Sequence, residues 1–206
     1  IWGIIYLLLT IFVIYQIVYA LKNKTEENTF IDKIGMLFFI SSLANISWIF
    51  SWHYQILPLS LVIMVVLLIS LINIYLQLNI GKQNLIRKEN KLVNITFSVY
   101  LGWISIATIA NITAFLVNMG WNRFGLSEEF WTVIVLIVGI ALSLIMLFKR
   151  RDIYYCLVVL WAFAGILIKR ATVDSESHTG IIITVIAGLT IISVASITQL
   201  IRRKIY

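Results

Sequence analysis

The sequence predicts an all-α fold: a polytopic membrane helix bundle with seven transmembrane helices in 206 residues. Three observations carry that prediction. Apolar residues make up 61% of the chain and charged residues 12%, with a mean hydropathy of +1.00. A soluble domain averages about 45–50% apolar and about 25% charged. That much apolar surface exceeds what a single water-soluble core buries, so lipid must act as the solvent. The apolar residues also gather into seven runs of bilayer-spanning length, and the basic residues fall into alternate connections between them.

The runs cover 1–21, 34–52, 57–79, 94–118, 130–148, 153–168 and 180–201, and none contains Asp, Glu, Lys or Arg. A helix crosses a bilayer with about 17–25 apolar residues and satisfies its own backbone polar groups. A β-barrel would need short strands alternating polar and apolar, which these runs do not. The sixth run is short, and Arg151, Lys169 and Arg170 would snorkel to the interfaces around it.

Thirteen of the sixteen basic residues lie after runs one, three and five and in the tail: Lys22, Lys24 and Lys33; Lys82, Arg87, Lys88 and Lys91; Lys149, Arg150 and Arg151; Arg202, Arg203 and Lys204. The remaining connections hold Arg123, Lys169 and Arg170. The positive-inside rule then puts the C-terminus in the cytoplasm and residue 1 on the outer side. These short clusters are juxtamembrane anchors for the lipid bilayer, and they offer no basic groove for nucleic acid. Cys156, the single cysteine, cannot form an intrachain disulfide. Because the chain opens at Ile1 inside an apolar run, with no basic region before it, a further helix is expected upstream.

Two polar faces stand out against this background. Ser41, Asn45, Trp48 and Trp52 recur at offsets of 4, 7 and 11, and Tyr100, Trp103, Ala107 and Asn111 at 3, 7 and 11. Each set therefore shares one helix face. Asparagine in hydrocarbon is costly unless hydrogen-bonded, so both faces should turn into the bundle. There Asn45 and Asn111 either bond neighbouring helices or line an aromatic-walled pocket with Ala107 at its floor. Of the seven tryptophans, Trp52, Trp121 and Trp131 flank run ends, as an aromatic belt does, while Trp48 and Trp103 lie deeper.

The segments Ile1–Tyr19, Ser42–His53 and Ser98–Asn111 resemble the second, third and fifth helices of the TspO/MBR family, the tryptophan-rich sensory proteins related to the mitochondrial translocator protein. The family's Trp followed four residues later by Tyr is matched by Trp2 and Tyr6, and its Asn-x-x-Trp by Asn45 and Trp48. Its fifth-helix pattern is matched by Tyr100, Trp103, Ala107, Thr108 and Asn111. The resemblance covers residues 1–118, four of the family's five helices, and makes 119–206 a three-helix extension. Some family features are missing. Ile49 and Phe50 stand where some members have prolines, and Met64 stands near a position that is often Asp. Ile112 and Thr113 follow Asn111 in place of the sterol-recognition pattern.

The resemblance implies a ligand-binding sensor or receptor in a bacterial-type plasma membrane. Its ligand would be a porphyrin, haem or a similar flat hydrophobic molecule, with no cofactor required. The ligand residues it implies are Trp2, Tyr6, Asn45, Trp48, Trp52, Tyr100, Trp103, Ala107 and Asn111. A transport role and a porphyrin-degrading enzyme are the alternatives. The enzyme would rest on Trp2 and Trp103 as a redox pair, since there is no nucleophile–base constellation and no glycine-rich phosphate loop. Asp174, Glu176 and His178 alternate in one connection, a spacing much commoner in solvated loops than in metal sites, and no metal is expected. A homodimer stays open: Gly139, Gly165 and Gly188 permit close helix approach but form no Gly-x-x-x-Gly pair.

Overall fold

The computed structural model describes residues 1–22, 30–82, 88–173 and 179–205. Among these residues the chain forms seven α-helices and no strand: α1 (Trp2–Lys22), α2 (Phe30–His53), α3 (Leu57–Gln77), α4 (Lys88–Asn118), α5 (Glu128–Arg150), α6 (Ile153–Val173) and α7 (Thr179–Ile205). Each is long and apolar enough to cross a membrane. A helix of 21 residues, such as α1 or α3, measures about 32 Å at about 1.5 Å per residue, against a hydrocarbon core of about 30 Å. The chain is an integral membrane protein.

The helix ends follow local chemistry. Gln55 (φ 55°) takes the left-handed conformation that closes α2, with Ile56 N–H donating to Ser51 O at 2.9 Å. Pro58 occupies the first turn of α3, where its missing N–H costs nothing. Asn79 (φ 51°) and Gly120 (φ 67°) close α3 and α4 in the same way. Ser127 caps α5 by accepting from Phe130 N–H at 3.1 Å, and Glu128 and Glu129 complement the dipole in its first turn. At the far end of α5, Lys149 and Arg150 lie in the last turn and Arg151 (φ 54°) ends it. Asp152 then caps α6 by accepting from Tyr155 N–H at 3.1 Å, so two residues separate the two helices.

The chain divides into two compact units, Ile1–Asn111 and Ile112–Tyr206. In the first, three phenylalanines meet edge to face: Phe12 of α1 lies 5.2 Å from Phe38 of α2 and 5.1 Å from Phe97 of α4. Three tryptophans, Trp2, Trp48 and Trp103, meet on the same three helices about 15 Å away along α1. The paired contacts fix the directions: α1 runs antiparallel to both α2 and α4. In a membrane such packing draws on dispersion and close approach, because lipid removes the hydrophobic drive between helices.

The second unit packs α5, α6 and α7 against one another. Glu129 near the start of α5 accepts from Gly180 N–H at the start of α7 (2.6 Å), and further along Ile140 of α5 closes on Gly188 of α7. α5 and α7 are therefore parallel. A Cβ on Gly188 would stand 2.6 Å from Phe163 Cε2 and 2.9 Å from Ile140 Cδ1, so glycine is required by space there. Gly165, by contrast, has nothing within 4 Å of where its Cβ would be. Between α4 and α5, Asn122 caps a single 3₁₀ turn at Arg123–Gly125. Trp131 Nε1 donates to Arg123 O at 2.9 Å, and Arg123 pairs with Glu128.

Candidate functional site

The residues singled out in the sequence come from three helices of the first unit. Trp2 opens α1, Trp48 lies five residues before the end of α2, and Trp103 lies midway along α4. Four rings form a continuous stack: Tyr6 on Trp2 (5.5 Å between centroids, 21°), Trp2 on Trp48 (5.5 Å, 27°) and Trp48 on Trp52 (5.8 Å, 26°). Trp103 meets Trp2 edge-on at 6.1 Å and 84°. Offset stacks and perpendicular contacts are the arrangements the indole quadrupole favours. The two outer rings, Tyr6 and Trp52, are each 40% exposed, so both ends of the stack reach the surface of the unit, with the half-buried Trp2 and Trp48 between them.

Beside the rings lie two buried polar side chains, Asn45 and Tyr100. The Asn45 amide is the shared polar neighbour of the Tyr6 and Tyr100 hydroxyls. A hydrogen bond of good geometry nevertheless closes on neither Asn45 Oδ1 nor Tyr100 OH. The indole nitrogens of Trp48 and Trp103 are likewise shielded from solvent and find no partner among the described residues. An unmet buried donor or acceptor costs about 1–3 kcal/mol, and four of them share one neighbourhood. The set comprises two N–H donors, one carbonyl acceptor and one hydroxyl able to do either.

Asn111 is committed elsewhere. Its Nδ2 donates to Ser60 Oγ of α3 at 2.8 Å, Ser60 Oγ lies 3.2 Å from Asn111 Oδ1, and both residues are buried. This pair ties α3 to α4. Ala107 is half-buried on the face shared with Trp103 and Asn111. Ser41 is satisfied within its own helix by donating to Phe38 O at 2.8 Å. Ser60 escaped sequence reasoning, since α3 also carries Ser70 and Asn73 and nothing in the sequence marks which of them faces α4. Of the remaining candidates, Asp174, Glu176 and His178 lie outside the described residues, and among those described no cluster of three metal-ligating side chains occurs.

The pattern of the family described as TSPO-like protein fits residues 1–198, running through both units of the chain. No curated protein and no solved structure matches the chain. The match covers nearly the full length, and the tryptophan and asparagine positions described above lie within it: the chain belongs to the TSPO-like protein family.

Proposed function

We propose that the first unit is a receptor for a flat, hydrophobic ligand of the tetrapyrrole class, held against Trp2, Trp48 and Trp103. The observation that carries this reading is the coincidence of an indole cluster with four buried polar atoms lacking partners: Asn45 Oδ1, Trp48 Nε1, Tyr100 OH and Trp103 Nε1. A macrocycle offers a π-face for the indoles and a polar edge or centre for the unmet groups. Each aromatic pair adds about 0.5–1.5 kcal/mol beyond area burial. Tyr6 and Trp52, at the exposed ends of the stack, form the entry side. The asparagine at 111 has its amide held by Ser60 of α3.

The distribution of basic residues supports a topology with residue 1 outside and the C-terminus cytoplasmic. On that topology the tryptophan cluster lies toward the outer side, because Trp2 opens α1 next to Ile1. The test is titration of the detergent-purified chain with protoporphyrin IX, following tryptophan emission and the Soret band together. Saturable quenching with a Soret shift is expected. Trp48→Phe should keep the stacking surface, lose the N–H and weaken binding about fivefold, the equivalent of one hydrogen bond of about 1 kcal/mol. Unchanged emission and an unshifted Soret band would overturn the reading.

A further inference from the structure

An open groove of about 520 Å³ runs between α5 and α7, bounded by Phe148 on α5 and by the face of α7 from Thr190 to Arg202. The twelve residue steps from Thr190 to Arg202 give it a length of about 18 Å, close to the depth of one hydrocarbon leaflet, about 15 Å. Ile191, Val194 and Ala195 make its wall apolar. Thr190 and Thr198 add to that character, since their hydroxyls already donate to Ile186 O and Val194 O.

Charge is confined to one end. Arg202, exposed, closes the groove there, with Gln199 one turn before it. Because α5 and α7 are parallel, Lys149, Arg150 and Arg151 end α5 at the same level. We infer that this groove is a binding site for one anionic phospholipid, its acyl chain along the apolar wall and its phosphate on the Arg202 guanidinium. A guanidinium fork matches phosphate oxygens in pairs, and the Gln199 amide is placed to reach the glycerol ester oxygens. A zwitterionic lipid would fill the same wall, but would bring its own cation up to the Arg202 guanidinium.

Native mass spectrometry of the full chain, released from detergent and titrated with phosphatidylglycerol and phosphatidylcholine of identical acyl chains, tests this. Phosphatidylglycerol should be retained about tenfold better, the scale of one hydrogen-bonded charge pair. Arg202→Gln should erase that preference, Arg202→Lys should keep part of it, and Ala195→Trp should lower retention of both lipids by filling the groove. Lys82→Gln, in a basic connection of the first unit, should change nothing. Equal retention of the two lipids by the unaltered protein would overturn the proposal. So would a preference that survives Arg202→Gln, or one that falls as much with Lys82→Gln, which would show general surface attraction.

Discussion

Removing either partner of the Ser60–Asn111 pair measures how much this one polar contact holds α3 on α4. Hydrogen bonds between membrane helices average about 0.6 kcal/mol and reach about 1.7 kcal/mol in double-mutant cycles. Here the hydroxyl approaches both ends of the amide, at 2.8 and 3.2 Å, and neither residue is more than 1% exposed. The upper half of the range, about 1–1.7 kcal/mol, is therefore expected. Ser60→Ala strands a buried amide, and Asn111→Ala strands a hydroxyl and opens a void. Each single change should cost about 1–3 kcal/mol. The double variant should cost less than the sum by the coupling energy. Reversible unfolding in mixed micelles of dodecyl maltoside and SDS, followed by tryptophan emission, gives the four stabilities. Additivity within about 0.3 kcal/mol would refute the claim that the two side chains act as a pair. On the receptor reading proposed above, a Ser60→Ala protein that folds should bind porphyrin within about twofold of the unaltered chain, because none of the four unmet polar atoms belongs to Ser60.

Three further outcomes follow from the second unit. Gly188→Ala should destabilise by about 1–2 kcal/mol, because the Cβ meets buried Phe163 at 2.6 Å and overpacking outweighs the gain in helix propensity, whereas Gly165→Ala, with open space around it, should be neutral or stabilising; the reverse order in a thermal melt would contradict this packing. Ser127→Ala should cost about 1 kcal/mol by removing the α5 cap, seen as the same loss in mixed-micelle unfolding, and Ser127→Asp should restore it. Glu129→Ala should free the first turn of α7, so hydrogen exchange at Gly180 should rise while exchange at Ser196 stays unchanged.

All seven helices were legible in the sequence because spans without a charged side chain have few ways to satisfy their backbone in lipid. Their ends were less so. α6 continues to Val173, five residues past the apolar run, because Lys169 and Arg170 carry long stems that permit a helix to outlast its hydrophobic stretch. α4 starts at Lys88, six residues before its run, as a polar turn that hydropathy alone does not register. The tryptophan cluster was expected from periodicity and resemblance, and its rings do meet. The order of contact was not legible: Trp2 stacks on Trp48 and touches Trp103 only by an edge. Ser60 could not be chosen over Ser70 without the rotation of α3, which depends on tertiary packing. The 3₁₀ turn after α4 depends on Trp131 reaching back eight residues to Arg123 O, a contact without a local sequence signature.

The two-residue join between α5 and α6 bears on how the protein acquires its orientation. With only Arg151 and Asp152 between them, the end of α5 and the start of α6 must sit on the same side of the bilayer. On the topology proposed above, the two helices form a hairpin whose closed tip, bearing Lys149, Arg150 and Arg151, stays on the cytoplasmic side. Sidedness is then decided once for both helices. Neutralising that tip should invert the hairpin as a whole, and any reporter spliced into it would be testing a different protein.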